Sequence, residues 1–237
     1  MLIKTDSSVG AKIISSGSYR PKNNVDNSRY ASMGFEDEWI QQRTGIKSRG
    51  IADVDGGETL AYMASQSAEA ALNKASMSID DIDLIIFSTT TYPHATPSGA
   101  SEIASLLGGT RTATMDLNSA CAGFCYSLEI ASSLIKNKTV NNVLVIGGET
   151  LQVNNNHNSP DVEFIFADGA GAVIIGEADE AGIGPVVWGS DADNRDAIQM
   201  NPSWIEVRDV ETQLTKAGSK WPNISQEGQK VFRWAVF

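Results

Sequence analysis

The sequence predicts an α/β protein, with helices alternating with short buried strands around a sheet covered on both faces. Two patterns and one size argument support this. Stretches with apolar residues at helical spacing (residues 58–75, 97–107 and 121–136) alternate with runs of strand length. Those runs, at residues 83–90, 142–147 and 170–176, are mostly continuous apolar residues, the pattern of strands buried on two sides. The chain has 237 residues, 41% hydrophobic and 20% charged, which suffices for one large or two modest domains.

Each element follows from a local signal. Leu60, Met63, Ala64, Ala68, Ala71 and Leu72 recur at helical spacing between Glu58 and Ala75. The first buried strand follows at Asp83–Thr90. Pro97 and Ser98 open a short helix through Ile103, Leu106 and Leu107, which Gly108 and Gly109 stop. Thr112–Leu117 reads as a strand and Cys121–Lys136 as an amphipathic helix. Asn142–Gly147 and Ala170–Gly176 complete the series as strands. Residues 190–226 are polar and acidic, with Pro202, Pro222 and scattered Trp, and read as an excursion or cap. Residues 227–237 open like an amphipathic helix but stop on an apolar run, which predicts a chain cut inside a helix. Short-period repeats and low-complexity tracts are absent from the sequence.

The net charge of −11 and a pI near 4.6 exclude a nucleic-acid partner, which requires a basic footprint. The charge is uneven. Residues 1–50 carry eight bases against five acids, and the remainder ten bases against 24 acids. A basic region on an acidic body can steer an anion, although a solvated face with chance asymmetry accounts for it equally well. Cys121 and Cys125 lie four apart, so they make neither a disulfide framework nor a zinc site. The segment after Met1 lacks a signal-peptide apolar core, and the longest apolar runs have strand length. The expectation is a cytoplasmic protein with no metal, no membrane contact and no resident cofactor.

The strongest chemical candidate is Asp116-Leu-Asn-Ser-Ala-Cys121-Ala-Gly-Phe124. A strand runs into a tight Ser-Ala turn, and Cys121 falls where the next helix begins. Backbone N–H groups and the helix dipole favour a thiolate there, and Ala120, Ala122 and Gly123 leave room beside the sulfur. Taken alone, a buried structural cysteine is the commoner case. Cys125, flanked by Phe124 and Tyr126, is expected in the core.

Four ordered motifs resemble one family. Asn118-Ser-Ala-Cys121-Ala-Gly-Phe resembles the nucleophile segment of β-ketoacyl-acyl-carrier-protein synthase III, a thiolase-superfamily condensing enzyme. Asp37-Glu-Trp39-Ile-Gln-Gln-Arg43-Thr44-Gly45 resembles its coenzyme A-binding stretch. Phe164-Ile165-Phe166-Ala-Asp168-Gly-Ala-Gly171 resembles the strand leading from its active-site wall. Gly228-Gln-Lys-Val-Phe232-Arg-Trp resembles the helix whose Phe gates the pantetheine tunnel.

The resemblance implies a thiolase-like fold of two βαβαβαββ halves stacked as α/β/α/β/α layers, usually a homodimer. Residues 1–178 would form the first half. Residues 179–237 would begin an incomplete second half, with its first strand near 183–190 and the cap insertion after it. It implies an acyltransferase in which Cys121 takes an acyl group from acyl-coenzyme A and condenses it with malonyl-acyl carrier protein. Trp39, Arg43 and Thr44 would bind coenzyme A: the indole stacks on adenine, the guanidinium meets a phosphate and the hydroxyl donates nearby. If the segment is helical, Trp39 and Arg43 share one face. Ile165, Phe166, Gly228 and Phe232 would line the substrate path. Lys47, Arg49 and Arg233 would meet the carrier protein.

The sequence also departs from the family. Motifs for the family's catalytic His and Asn are missing, and the two histidines, His94 and His157, read as solvated loop residues. The loop before Phe164 lacks the Arg expected opposite the Trp, so adenine stacking would be one-sided. The incomplete chain is therefore expected to be inactive in condensation. Two alternatives remain: a relative in specialised lipid or polyketide synthesis, or a non-catalytic truncated product.

Overall fold

The computed structural model describes residues 10–154, 160–180, 182–203, 205–206 and 223–236. In chain order its elements begin with β1 (Gly10–Tyr19), β2 (Asn23–Asp26), α1 (Asp37–Thr44), β3 (Ser48–Ile51), α2 (Leu60–Ala75), β4 (Leu84–Ser88), α3 (Gly99–Leu106) and β5 (Ala113–Leu117). They continue with α4 (Gly123–Lys136), β6 (Asn142–Thr150), α5 (Pro160–Glu163), β7 (Asp168–Ala178), β8 (Ile198–Asn201), β9 (Asn223–Gln226) and α6 (Gly228–Val236). The expected helices over 58–75, 97–107 and 121–136 are α2, α3 and α4. The expected strands are β4, β5, β6 and β7.

The chain divides into two units, one of residues 1–23, 52–150 and 168–188, the other of 24–51, 151–167 and 189–237. The first is built on a five-stranded mixed sheet in the order β1-β7-β6-β4-β5. β4 is parallel to both β5 and β6, whereas β7 is antiparallel to β6 and β1. Because successive side chains alternate faces, the continuous apolar runs supply two cores. Ile85, Phe87, Leu144, Ile146, Ala172 and Ile174 pack with α2 and α3. Leu84, Ile86, Val143, Val145, Val173 and Ile175 pack with Ala131 and Ile135 of α4. Each fully buried Ile, Leu or Val contributes about 1.5–3 kcal/mol. This is the sheet covered on both faces that the apolar runs predicted.

Strand β1 was not expected. Its sequence, GAKIISSGSY, carries no clean alternation, and only Gly10 and Ala11 are buried. It adds at the sheet edge because β7 offers nine paired positions along it, with an irregularity between Ile13 and Ser15. Residues 182–190 hold no strand, contrary to expectation. The Gly182 and Ile183 N–H groups both bond the Ala11 carbonyl, the Val186 N–H donates to Glu129, and Trp188 stacks on Tyr126 at 4.2 Å. These contacts spread the segment over α4 and β1 instead of pairing it in a ladder.

The second unit has a small core of Tyr30, Ile40 and Phe164, with Met33, Phe35 and Ile46 against it. β2 pairs with β3, and β8 with β9 antiparallel. Within the expected excursion, residues 204 and 207–222 lie outside the described residues. Among the described residues, no helix is long and apolar enough to cross a membrane, and no His, Cys, Asp and Glu cluster could hold a metal.

Candidate active site

In the first unit the parallel strands β4 and β5 end side by side, Ser88 being registered with Leu117, and beside them β6 runs on from Gly147 to Thr150. The carboxyl ends of parallel strands are where open α/β sheets place their sites. After β5, the chain turns through Ala120, whose φ of 45° is left-handed, into a short 3-10 turn over Ala120–Ala122. Cys121 is the middle residue of that turn, with α4 starting at Gly123, so the thiol stands at the head of the helix as the spacing predicted. It is free and exposed.

Three contacts hold this corner. A Cβ on Gly123 would lie 2.0 Å from the Ser88 hydroxyl oxygen, so glycine lets α4 approach the end of β4. The Asp116 carboxylate accepts the Gly99 and Ala100 N–H groups at 2.7 and 2.8 Å, capping α3 from β5. The Glu149 carboxylate at the end of β6 accepts the Thr90 N–H at 2.9 Å and bonds the hydroxyls of Thr89, Thr90 and Thr91. It fixes the loop that leaves β4. The sequence reading missed Glu149; its signal was a lone acid closing an apolar strand on the site edge of the sheet.

Cys125 is exposed, not in the core as expected. It lies four residues after Cys121, one turn along the same helix face, whereas Ser127, Ala131 and Ile135 bury the opposite face. Phe124 stays 36% exposed beside it. His94, in the loop after β4, is exposed and meets Tyr92 edge-on at 5.7 Å. His157 lies outside the described residues.

In the second unit, residues 37–44 are the helix on which Trp39 and Arg43 share a face. The Arg43 guanidinium carbon sits 4.1 Å from the Trp39 ring centroid, and Nη1 donates to the Trp39 carbonyl at 3.3 Å. Phe35 and Phe164 hold the indole at 5.2 and 5.7 Å, leaving it 36% exposed. Hydrogen bonds from Gln41 and then Asn27 hold the Asp37 carboxyl below its usual range at the head of α1. Thr44 is exposed at the end of this helix, where its hydroxyl donates to the Ile40 carbonyl at 2.8 Å and accepts the Ile46 N–H.

Arg49 corrects an expectation. It is 2% exposed, so it cannot present its charge to a carrier protein. Nε donates to the Phe164 carbonyl, Nη1 to the Asn27 side chain at 2.8 Å, and the guanidinium lies 4.7 Å from the Tyr30 ring centroid. Burial pushes both Arg49 and the Tyr30 hydroxyl towards their neutral forms, lowering the first pKa and raising the second. Lys47 and Arg233 are exposed. Ile165 is 38% exposed, and the Phe166 carbonyl accepts the Gln152 side chain at 2.6 Å. Gly228 opens α6, with Phe232 64% exposed on it.

Residues 115–192, which include Cys121, match the family model of 3-oxoacyl-[acyl-carrier-protein] synthase III. The chain is 40% identical over 232 residues to β-ketoacyl-[acyl-carrier-protein] synthase III 1 of Streptomyces coelicolor, covering 96% of this chain and 67% of that protein. It is 37% identical over 241 residues to the synthase III of Kocuria rhizophila, covering 94% and 67%. The priming β-ketosynthase of the R1128 polyketide pathway superposes with a TM-score of 0.88 at 35% identity, over 96% of this chain and 66% of that one. The 3-oxoacyl-[acyl-carrier-protein] synthase III of Aquifex aeolicus gives 0.73 at 33%, over 95% and 67%. The chain thus spans about two thirds of the length of the curated relatives it matches.

Proposed function

The chain belongs to the 3-oxoacyl-[acyl-carrier-protein] synthase III family, and on that premise we propose that it is the acyl-accepting portion of an initiating condensing enzyme. The observation that carries this reading is Cys121, a free, exposed thiol at the head of α4, just after the registered ends of the parallel strands β4 and β5. Its thiolate attacks the carbonyl of an acyl-coenzyme A such as acetyl-coenzyme A. The sulfur–carbonyl bond of the incoming thioester breaks, coenzyme A leaves as thiolate, and the acyl group remains on Cys121. Main-chain N–H groups at the helix start stabilise the negative oxygen of the tetrahedral intermediate.

In the second stage malonyl-acyl carrier protein loses CO₂. The resulting carbanion forms a carbon–carbon bond with the acyl carbonyl, and Cys121 departs as thiolate. That stage calls for hydrogen-bond donors to a developing enolate, the His and Asn whose motifs this sequence lacks. We therefore assign the 237 residues acyl transfer to Cys121 and no condensation. Residues 1–178 would be the first thiolase-like half and 179–237 the start of the second, working in the cytoplasm as a homodimer.

A second reading has its own support. The similarity to a priming β-ketosynthase of a polyketide pathway favours starting a specialised product as much as a fatty acid. Incubation with acetyl-coenzyme A, read by intact mass, tests the shared step. The expected result is the mass of one acetyl group on the chain and none on Cys121→Ala. Absence of the adduct on the unmodified chain overturns the reading. Adding malonyl-carrier protein is expected to release no CO₂, and release overturns the assignment of acyl transfer alone.

A further inference from the structure

The coenzyme A reading treats Trp39 as an open platform, but a guanidinium already lies over its ring, although the side chain stays 36% exposed. The Arg43 guanidinium lies 4.1 Å from the indole centroid, within cation–π range, and is tied to the same helix turn by its bond to the Trp39 carbonyl. Phe35 and Phe164 take up further contact with the indole. Among the described residues no carboxylate pairs with Arg43, so a charge without an ionic partner rests on the ring. A base cannot stack where the guanidinium now sits. Yet Arg43 is exposed on a flexible stem, and a phosphate gives it a stronger, charge-assisted partner than an exposed ring does.

We propose that Arg43 gates the Trp39 ring: its guanidinium lies over the indole and uncovers it when a phosphate draws it away. The inference rests on the coenzyme A reading and adds a mechanism of selectivity to it. A nucleotide bearing phosphate brings the means to open the site, whereas a bare nucleoside must displace the guanidinium with nothing in return. The gate works within one helix, through residues four apart, and requires no backbone movement.

Isothermal titration of adenosine and of adenosine 3′,5′-bisphosphate against the 237-residue chain separates the possibilities, with Arg43→Ala, Arg43→Lys and Trp39→Ala as variants. Arg43 is exposed, and far-UV circular dichroism of each variant checks that the fold stands. A gate predicts opposite effects in Arg43→Ala. Adenosine binds about two- to fivefold tighter, because an exposed cation–π contact no longer competes, while the bisphosphate binds about tenfold or more weaker. Arg43→Lys, which keeps charge without the planar stack, retains part of the bisphosphate affinity. Trp39→Ala loses adenosine binding.

If Arg43→Ala weakens both ligands, the guanidinium is a fixed wall of the site and the gate is wrong, although the coenzyme A reading stands. If adenosine affinity is unchanged, the ring was never covered in solution and the gate is again wrong. If the unmodified chain binds neither ligand nor coenzyme A itself, the nucleotide site fails and the gate with it.

Discussion

Gly123 and Ser88 are packed so closely that a methyl group on the glycine would lie 2.0 Å from the serine hydroxyl oxygen and 3.4 Å from its Cβ. The first distance is a clash and the second is not. This contact sets how near the head of α4, with Cys121 two residues away, comes to the end of β4.

Gly123→Ala should therefore cost about 1–3 kcal/mol through overpacking, with slower acylation of Cys121. Adding Ser88→Ala removes the clashing oxygen, and the double variant should recover most of the loss. Urea unfolding of the four proteins in the cycle measures the coupling. Additive losses would mean that the glycine is needed for another reason.

Asp116 accepts two N–H groups at the start of α3, so Asp116→Ala leaves both without that acceptor. The expected loss is about 1–2 kcal/mol, with Asp116→Asn losing less because it keeps one acceptor oxygen. The Ser98 hydroxyl, which accepts the Ser101 N–H, still caps the helix and limits the damage. Chemical denaturation of both variants gives the order.

Glu58 accepts the Tyr19 hydroxyl at 2.6 Å and the Asp53 N–H at 3.0 Å, and the Tyr19 bond above all holds its carboxyl below the usual range. Stability from a lowered carboxyl is present above its ordinary value and is lost as pH falls through the folded one. The same bond, followed by burial, pushes Tyr19 up to about 12 from 10.0. That contribution is complete below pH 10.0 and is lost as pH rises towards 12. Glu58→Gln should flatten both limbs of a Tm-against-pH curve.

Cys121 and Cys125 are both free and exposed, so iodoacetamide should label both. Prior incubation with acetyl-coenzyme A should protect Cys121 and leave Cys125 reactive. Peptide mass mapping reads the two separately. Equal protection would point to general masking of the helix face and not to acylation at one sulfur.

Arg49 and Lys47 are two residues apart yet should behave oppositely. Arg49→Ala removes two hydrogen bonds donated by a buried guanidinium and should cost about 1–3 kcal/mol for each acceptor, the Phe164 carbonyl and the Asn27 side chain, left unpaired. Lys47→Ala, at an exposed position, should stay within about 0.5 kcal/mol. Thermal unfolding distinguishes them, and an exposed-type response from Arg49 would contradict its burial.

The central strands were legible in the sequence because burial on both faces forces a local, continuous apolar signature at residues 84–87, 143–146 and 172–175. Strand β1 was not, since an edge strand draws its order from a neighbour more than 150 residues away. The side on which Cys125 lies was legible in principle, because a spacing of four on a helix shares a face with Cys121. Its flanking aromatics pointed the wrong way.

By itself, then, the sequence determined the alternation of elements and the cysteine at a strand-to-helix turn, and it placed Trp39 and Arg43 four apart, on one face once that segment is helical. All are set by local signals: continuous apolar runs, helical spacing and turn residues. The tertiary structure alone decided that Arg49 is buried and that Glu149 clamps the loop leaving β4. Whether a polar side chain faces water or a partner depends on which distant segments fold against it. Phe164 and Asn27 around Arg49 are such segments, and Thr89–Thr91 around Glu149 another. No local period encodes that meeting.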